Sequence, residues 1–301
     1  MNPVVSPTSS RQTPIGLTWR QRLGSYWRLL RLHRPIGTLL LLWPTLWALF
    51  IAADGWPGLY TVFAFSLGTL MMRSAGCAMN DWADRDFDGH VERTRERPLA
   101  TGEIAGREAL LLFAGLSLLA LPLIWPFGPL TWTLALVAAA LAASYPFFKR
   151  FFALPQAYLG IAFGFGIPMA FAAMRDTVPW SGWTLLAGSI CWTMAYDTEY
   201  AMVDREDDLR LKLKTSAITF GRYDVAAVMV SYGLTLLLIG VAAAMEGLWP
   251  GILVGLLAAA GVAAYHYRLI RHRDRAGCFK AFNHNTWFGF AIFVGVLCGL
   301  A

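Results

Sequence analysis

Apolar runs of about 20 residues recur along the chain, separated by polar segments that alternate between short and long. The runs lie near 35–53, 57–79, 109–127, 129–148, 151–174, 178–196, 224–245, 247–267 and 281–301. A helix of that length crosses the hydrocarbon core of a bilayer. The pattern predicts an all-α, polytopic membrane protein with nine transmembrane helices. Ahead of the first run, Leu23, Trp27 and Leu30 share one helical face, while Arg20, Arg22, Arg28, Arg31 and Arg34 make the rest strongly basic. That combination predicts an interfacial helix over 20–34. Residues 1–19 are rich in Ser, Thr and Pro, with no acid, and read as a disordered tail. An acid-free start containing Arg is also the pattern of an organellar transit peptide. No short apolar core followed by a small-residue cleavage site precedes the first run, so no secretory signal is expected. The expected organisation is a tail over 1–19, a basic helix over 20–34 and one membrane domain over 35–301.

Composition supports the same class. The 301 residues are 57% hydrophobic and 15% charged, far from the balance of a soluble domain. With nine crossings and a cytoplasmic N-terminus, 23 of the 25 Lys and Arg fall on one side of the membrane. Arg175 falls on the other side, and Arg73 lies inside the second run. Basic residues collect in cytoplasmic loops, which predicts a cytoplasmic N-terminus and an external C-terminus. The basic charge is accounted for by topology, and no nucleic-acid partner is expected. The four cysteines contain no CxxC pair and read as small apolar side chains.

Acidic residues are few, and most of those that matter come in two stretches. The first, Asn80-Asp81-Trp82-Ala83-Asp84-Arg85-Asp86-Phe87-Asp88, follows the second run directly. Asn80, Asp84 and Asp88 are spaced i, i+4, i+8, which on a helix puts an amide and two carboxylates on one face. The second stretch runs from Tyr196 to Asp208 and places Asp197, Asp204 and Asp208 at i, i+7, i+11. Like charges at such spacings repel, and a cation reverses the sign of that cost. Asn80, Asp84, Asp88, Asp204 and Asp208 are hard oxygen donors of the kind that hold Mg²⁺ together with water and substrate phosphate. The loops beyond both stretches are rich in Arg and Lys, which suits diphosphate oxygens. The apolar surroundings suit a lipid for the rest of the substrate. Arg73, inside a span and seven residues before Asn80, reads either as a substrate contact or as a structural partner of Asp197 or Asp81. Lys149 and Arg150 read as substrate contacts or as topology signals. His33, His266 and His284 lie at span ends without a second His at ligand spacing and are not expected to bind metal.

At these residues the chain resembles the intramembrane UbiA-type aromatic prenyltransferases. The first stretch is similar to their NDxxDxxxD motif and the second to their YDxxYAxxDxxxD motif. Further likeness lies in Arg93-Thr94, Arg97-Pro98-Leu99, Tyr145-Pro146-Phe147-Phe148-Lys149-Arg150 and Trp43-Pro44-Thr45-Leu46-Trp47. It extends from about residue 28 to the end, and members acting on 4-hydroxybenzoate are nearest in pattern. The resemblance implies a nine-helix ring around a central cavity that opens sideways to lipid. It implies transfer of a prenyl group from a polyprenyl diphosphate to the ring carbon ortho to the hydroxyl of 4-hydroxybenzoate, in ubiquinone biosynthesis. Carried over to this chain, Asn80, Asp84, Asp88, Asp204 and Asp208 would hold Mg²⁺–diphosphate. Arg73, Arg93, Arg97, Lys149, Arg150 and Lys214 would meet the diphosphate or the benzoate carboxylate, with Arg150 assigned to the carboxylate. Tyr196 and Asp197 would line the cavity floor, Asp197 with a catalytic part. The expected location is a bacterial inner membrane with the active site on the cytoplasmic side, or the mitochondrial inner membrane. Lys212 stands where the family often has Gly. Other readings are a prenyltransferase for a naphthoate or haem acceptor and an ion-coupled transporter. A phosphatidyltransferase would need a DGxxAR pattern, which the sequence lacks.

Overall fold

The computed structural model describes residues 16–86, 88–90, 94–148, 151–210 and 213–301. Among the described residues the chain is helical, with no strand. The helices are α1 (Trp19–Leu29), α2 (Ile36–Ala52), α3 (Leu59–Asp84), α4 (Gly106–Ala120), α5 (Pro129–Phe148), α6 (Pro155–Gly164), α7 (Gly166–Arg175), α8 (Trp180–Arg210), α9 (Ser216–Phe220), α10 (Asp224–Met245), α11 (Ile252–Ile270) and α12 (Arg275–Leu300). Among the described residues, six helical segments are long and apolar enough to cross a membrane. α2 is apolar but spans 17 residues, and α8 and α12 have the length but carry more polar residues. The nine crossings expected from the sequence therefore remain an expectation beyond those six. The protein is an integral membrane protein.

The α1 helix begins at Trp19, one residue inside the expected tail, because Thr18 and Gln21 form a capping box. It stops at Leu29, short of the expected 34. Two residues on, Arg31 takes a left-handed conformation (φ 52°) and turns the chain into α2. Arg22 and Tyr26 bind Glu108, and Ser25 and Arg28 bind Glu103, so α1 lies against the start of α4. Trp19, Leu23 and Trp27 face outward and exposed.

The helices surround a central cavity, with α12 packing back on α2, while α4 and α5 scarcely touch. Small residues set the closest approach. A Cβ added at Gly255 of α11 would sit 2.6 Å from the Gly295 Cα of α12, so only glycine lets these two backbones meet. On the side away from the cavity, α8 is fixed by a buried polar cluster. Asn285 Nδ2 donates to Glu199 Oε2 at 2.8 Å, and the Tyr232 hydroxyl lies 3.0 Å from Glu199 Oε1 and 2.8 Å from His266 Nδ1. Trp192 Nε1 donates to Asn285 Oδ1 at 2.9 Å. These groups come from α8, α10, α11 and α12 and hydrogen-bond one another. A buried carboxyl is tolerated on such terms, and the cluster fixes which face of α8 turns inward. At the far ends of the helices, Arg175 donates to the Ile51 and Ala52 carbonyls at the end of α2 and to Glu246.

Candidate functional site

The helices enclose a cavity of about 1040 Å³. Most of its wall is apolar, and its polar groups come chiefly from the C-terminal parts of α3 and α8 and the loops after them. Asn80 and Asp84 line it from the last turns of α3. Asp88 lines it too, but not as the third step of one helix. α3 ends at Asp84, and Asp88 lies in a short 3₁₀ turn, Asp88–His90. The Asp- and Gly-containing sequence here is poor in helix formers. The turn is held by Thr94 Oγ1 donating to the Asp88 carbonyl and by Arg97 donating to Asp88 Oδ2, both at 2.8 Å. The second stretch behaves differently. α8 continues unbroken to Arg210, so Tyr196, Asp197, Asp204 and Asp208 all reach the cavity from one helix.

Asp81 turns away from the cavity. It is 1% exposed and holds Arg31 at 2.7 Å and Arg97 at 3.0 Å. Arg73 lines the cavity, yet its guanidinium already donates to the carbonyls of Leu30, Arg31 and Arg34. It braces the turn between α1 and α2. A Cβ at Gly37 would collide with that guanidinium, which explains a glycine there. Among the described residues the carbonyls of Leu30, Arg31 and Arg34 are the hydrogen-bond acceptors of Arg73. Lys214 lines the cavity and donates to the Phe151 carbonyl at 3.0 Å. Arg93, Lys149, Arg150 and Lys212 lie outside the described residues.

Several cavity residues were not singled out from the sequence. Arg31 and Arg34 line it, although the sequence reads them only as part of a basic interfacial segment. Gln156 and Thr215 line it as well, as does Tyr145, which the sequence marks only through the likeness at Tyr145–Arg150. A polar Gln156 right after Pro155, at the start of an apolar helix, is the one such signal visible in the sequence.

Burial pushes the Asp88 carboxyl above the ordinary carboxylate range; Arg97 opposes this, and Asp81 and Asp84 reinforce it. A cation beside this group would reverse the effect. Among the described residues no three His, Cys, Asp or Glu are gathered closely enough to cage a metal by themselves. His266 and His284 instead pair with each other, Nε2 to Nδ1, at 3.1 Å. The donor set still fits Mg²⁺, which keeps water and takes one or two carboxylates together with substrate phosphates. Asp84 closes α3, Asp88 follows it and Asp204 and Asp208 lie on α8; Arg97 donates to Asp88, and Lys214 lines the same cavity.

The cavity also reaches the lipid side. Leu118, Leu121 and Ile124, on α4 and the 3₁₀ turn after it, line it together with Leu136 and Ala139 of α5. Leu118 and Leu136 are 65% and 67% exposed. α4 packs on α3, and α5 on α3, α6 and α7, while α4 and α5 scarcely meet each other. The space between them is an apolar side opening.

The model of the UbiA prenyltransferase family matches residues 41–291. Among curated relatives, the chain is 63% identical to a 4-hydroxybenzoate octaprenyltransferase of Janthinobacterium sp. (strain Marseille), over 91% of this chain and 97% of that one. It is 60% identical to the protein of the same name from Herminiimonas arsenicoxydans, over 92% and 97%. Its fold is similar to the apo structure of a UbiA homolog from Aeropyrum pernix, with a TM-score of 0.75 at 23% identity, covering 86% and 96% of the two chains. It is also similar to a UbiA homolog from Archaeoglobus fulgidus bound to GPP and Mg²⁺, with a TM-score of 0.67 at 19% identity, covering 89% and 99%.

Proposed function

The chain belongs to the UbiA prenyltransferase family, and from that premise we propose that it transfers a polyprenyl group from its diphosphate to the ring carbon ortho to the hydroxyl of 4-hydroxybenzoate. The observation that carries the reading is the division of one cavity. Four carboxylates with Arg97 and Lys214 stand toward the ends of α3 and α8, and an apolar wall runs from them to the opening between α4 and α5. That shape suits a lipid diphosphate with its charged head at the acids and its tail toward the bilayer.

Asn80, Asp84 and Asp88 on one side and Asp204 and Asp208 on the other would hold Mg²⁺. The ion would supply neutralisation of the diphosphate as it leaves. Arg97 and Lys214 add positive charge for the same oxygens, and Arg150 is assigned to the benzoate carboxylate. The allylic C–O bond breaks, both electrons stay with the diphosphate, and the ring carbon attacks the allyl cation. The ring proton then leaves as aromaticity returns, and Asp197, which lines the cavity, would take it. The apolar wall keeps water from the cation. The acids lie at the cytoplasmic side of a bacterial inner membrane, the side the basic loops favour.

Purified protein supplied with 4-hydroxybenzoate and mixed polyprenyl diphosphates tests this. The expected result is a ring-prenylated product and diphosphate release that needs both substrates and Mg²⁺. Asp84→Ala and Asp204→Ala should each cost at least about 100-fold in turnover, the scale of losing a group that stabilises developing charge. Diphosphate release that ignores the acceptor, or transfer that survives metal chelation, would overturn the assignment.

A further inference from the structure

The buried cluster behind α8 contains a carboxyl group that the proposed reaction does not use. Glu199 is fully buried, on the same stretch of helix as Tyr196, Asp197 and Tyr200, which line the cavity. Its neighbours fix which atoms of the cluster carry hydrogen. Trp192 Nε1 can only donate, so the Asn285 atom that it meets is the carbonyl oxygen Oδ1. The other arm of that amide, Nδ2, donates to Glu199 Oε2 and to the Ala281 carbonyl at 3.1 Å, an atom that can only accept. The two contacts agree, and the carboxamide has one orientation.

Tyr232 then fixes the state of the acid. Its hydroxyl has one hydrogen and three neighbours: Asn285 Oδ1 at 2.8 Å, Glu199 Oε1 at 3.0 Å and His266 Nδ1 at 2.8 Å. Asn285 Oδ1 has no hydrogen to offer, so the tyrosine donates there. An ionised Glu199 would need the same hydrogen, and one of two buried oxygen pairs would face each other without one. A protonated Glu199 removes the conflict. Its Oε1–H donates to the tyrosine oxygen, His266 Nδ1–H does the same, and His266 Nε2 accepts from His284 Nδ1. The titratable groups facing Glu199 are Tyr232 of α10, His266 of α11 and Cys278 of α12. Among the described residues His266, at 3.7 Å, is the one basic side chain within 4 Å of its oxygens. The other helices packed on α8 add no cation there. α2 and α9 have no titratable side chain, Tyr158 of α6 bonds Ser144, and Arg175 of α7 bonds Glu246. Asp224, at the start of α10, is held by Arg273.

We propose that Glu199 is a protonated carboxylic acid in the working enzyme and a positioning residue, its proton completing the cluster that holds Tyr196, Asp197 and Tyr200 toward the cavity. The positioning role rests on the function proposed above, and the protonation does not. A carboxyl kept neutral in this way donates a hydrogen bond that a carboxylate cannot.

Glu199→Gln tests both parts. The glutamine amide can donate to Tyr232 and its oxygen can accept from Asn285, so the variant reproduces the neutral acid and cannot ionise. Wild-type protein releases the Glu199 proton on unfolding wherever pH exceeds the unfolded glutamate value of about 4.3. Its stability therefore falls as pH rises from there, until the folded group ionises too. The variant lacks that fall. Its folding constant should gain on wild type by up to about tenfold per pH unit, read as a gap in thermal midpoint in detergent that widens between about pH 5 and 8. The infrared stretch of a protonated carboxyl should be stronger in wild type than in the variant. Prenyl transfer by the variant should stay within about twofold of wild type at neutral pH, and should persist at alkaline pH where wild-type kcat declines. A variant that fails to fold, or whose midpoint lies below that of wild type by the same amount at every pH, overturns the protonation, because an amide cannot stand in for a carboxylate. Equal infrared stretches in the two proteins do the same. Coincident pH–rate profiles, up to the pH at which the protein unfolds, overturn the positioning role and leave the proton in place. Protein that makes no product but shows the widening gap and the infrared difference would overturn the function and keep the protonated acid.

Discussion

Asp81 and Asp84 stand three residues apart, both are buried, and they serve different ends. Asp84 faces the cavity, while Asp81 sits between Arg31 and Arg97. Removing one partner of a buried ion pair leaves charge without compensation, which costs more than the pair contributes. Asp81→Asn should therefore lower stability by about 3 kcal/mol, read as a reduced midpoint on unfolding in detergent. An unchanged midpoint would mean the two arginines are held by something other than this carboxylate. The spacing of Asn80, Asp84, Asp204 and Asp208 made the cavity acids legible in the sequence, because helical periodicity determines which side chains share a face. The part played by Arg73 was not legible. Its acceptors are the carbonyls of Leu30, Arg31 and Arg34, and backbone oxygens look the same in every sequence.

At the scale of elements, α1 is held by acids from the segment that opens α4. Burial would raise the Glu103 carboxyl, but hydrogen bonds from Ser25, Thr101 and Arg28 and the charge of Arg28 outweigh it and hold the group below the ordinary glutamate value. A carboxyl depressed by folding contributes stability that is fully present above its unfolded pKa, about 4.3. That contribution is lost as pH falls from there through the lower folded value. α1 should stay docked from about pH 8 to 5 and loosen below about pH 4. Limited acid proteolysis should then cut between Trp19 and Arg31 faster at low pH, and Glu103→Gln should show the faster cutting already at neutral pH. Equal cutting of the variant and wild type at neutral pH would remove Glu103 from this role. The amphipathic stripe of Leu23 and Trp27 announced the helix. Its end was hidden, because an arginine with positive φ is not a residue whose type signals a turn.

At the scale of the molecule, apolar run length made the helices legible, and the distribution of charge predicts their direction. α8 has 31 residues, about 46 Å at 1.5 Å per residue, against a hydrocarbon core of about 30 Å. If α8 is one of the expected crossings, that excess would carry Asp204 and Asp208 beyond the apolar layer without a break in the helix. If the basic loops are cytoplasmic, single cysteines replacing Arg107 and Ala301, in a chain freed of its own four, should react with impermeant maleimide from opposite faces of the membrane. Labelling of both from one face would contradict an odd number of crossings. The opening between α4 and α5 was not legible in the sequence, since it depends on two neighbours in the chain that do not pack together. It has a consequence for selectivity. A closed pocket measures its ligand from end to end, but a pocket without a far wall has no ruler. Isoprene units beyond the cavity are solvated by the bilayer whether they are few or many, so adding one changes the free energy of the bound and unbound donor alike. The number of units in the product would then follow the donor supplied, and purified protein given donors of several lengths should use them at similar KM.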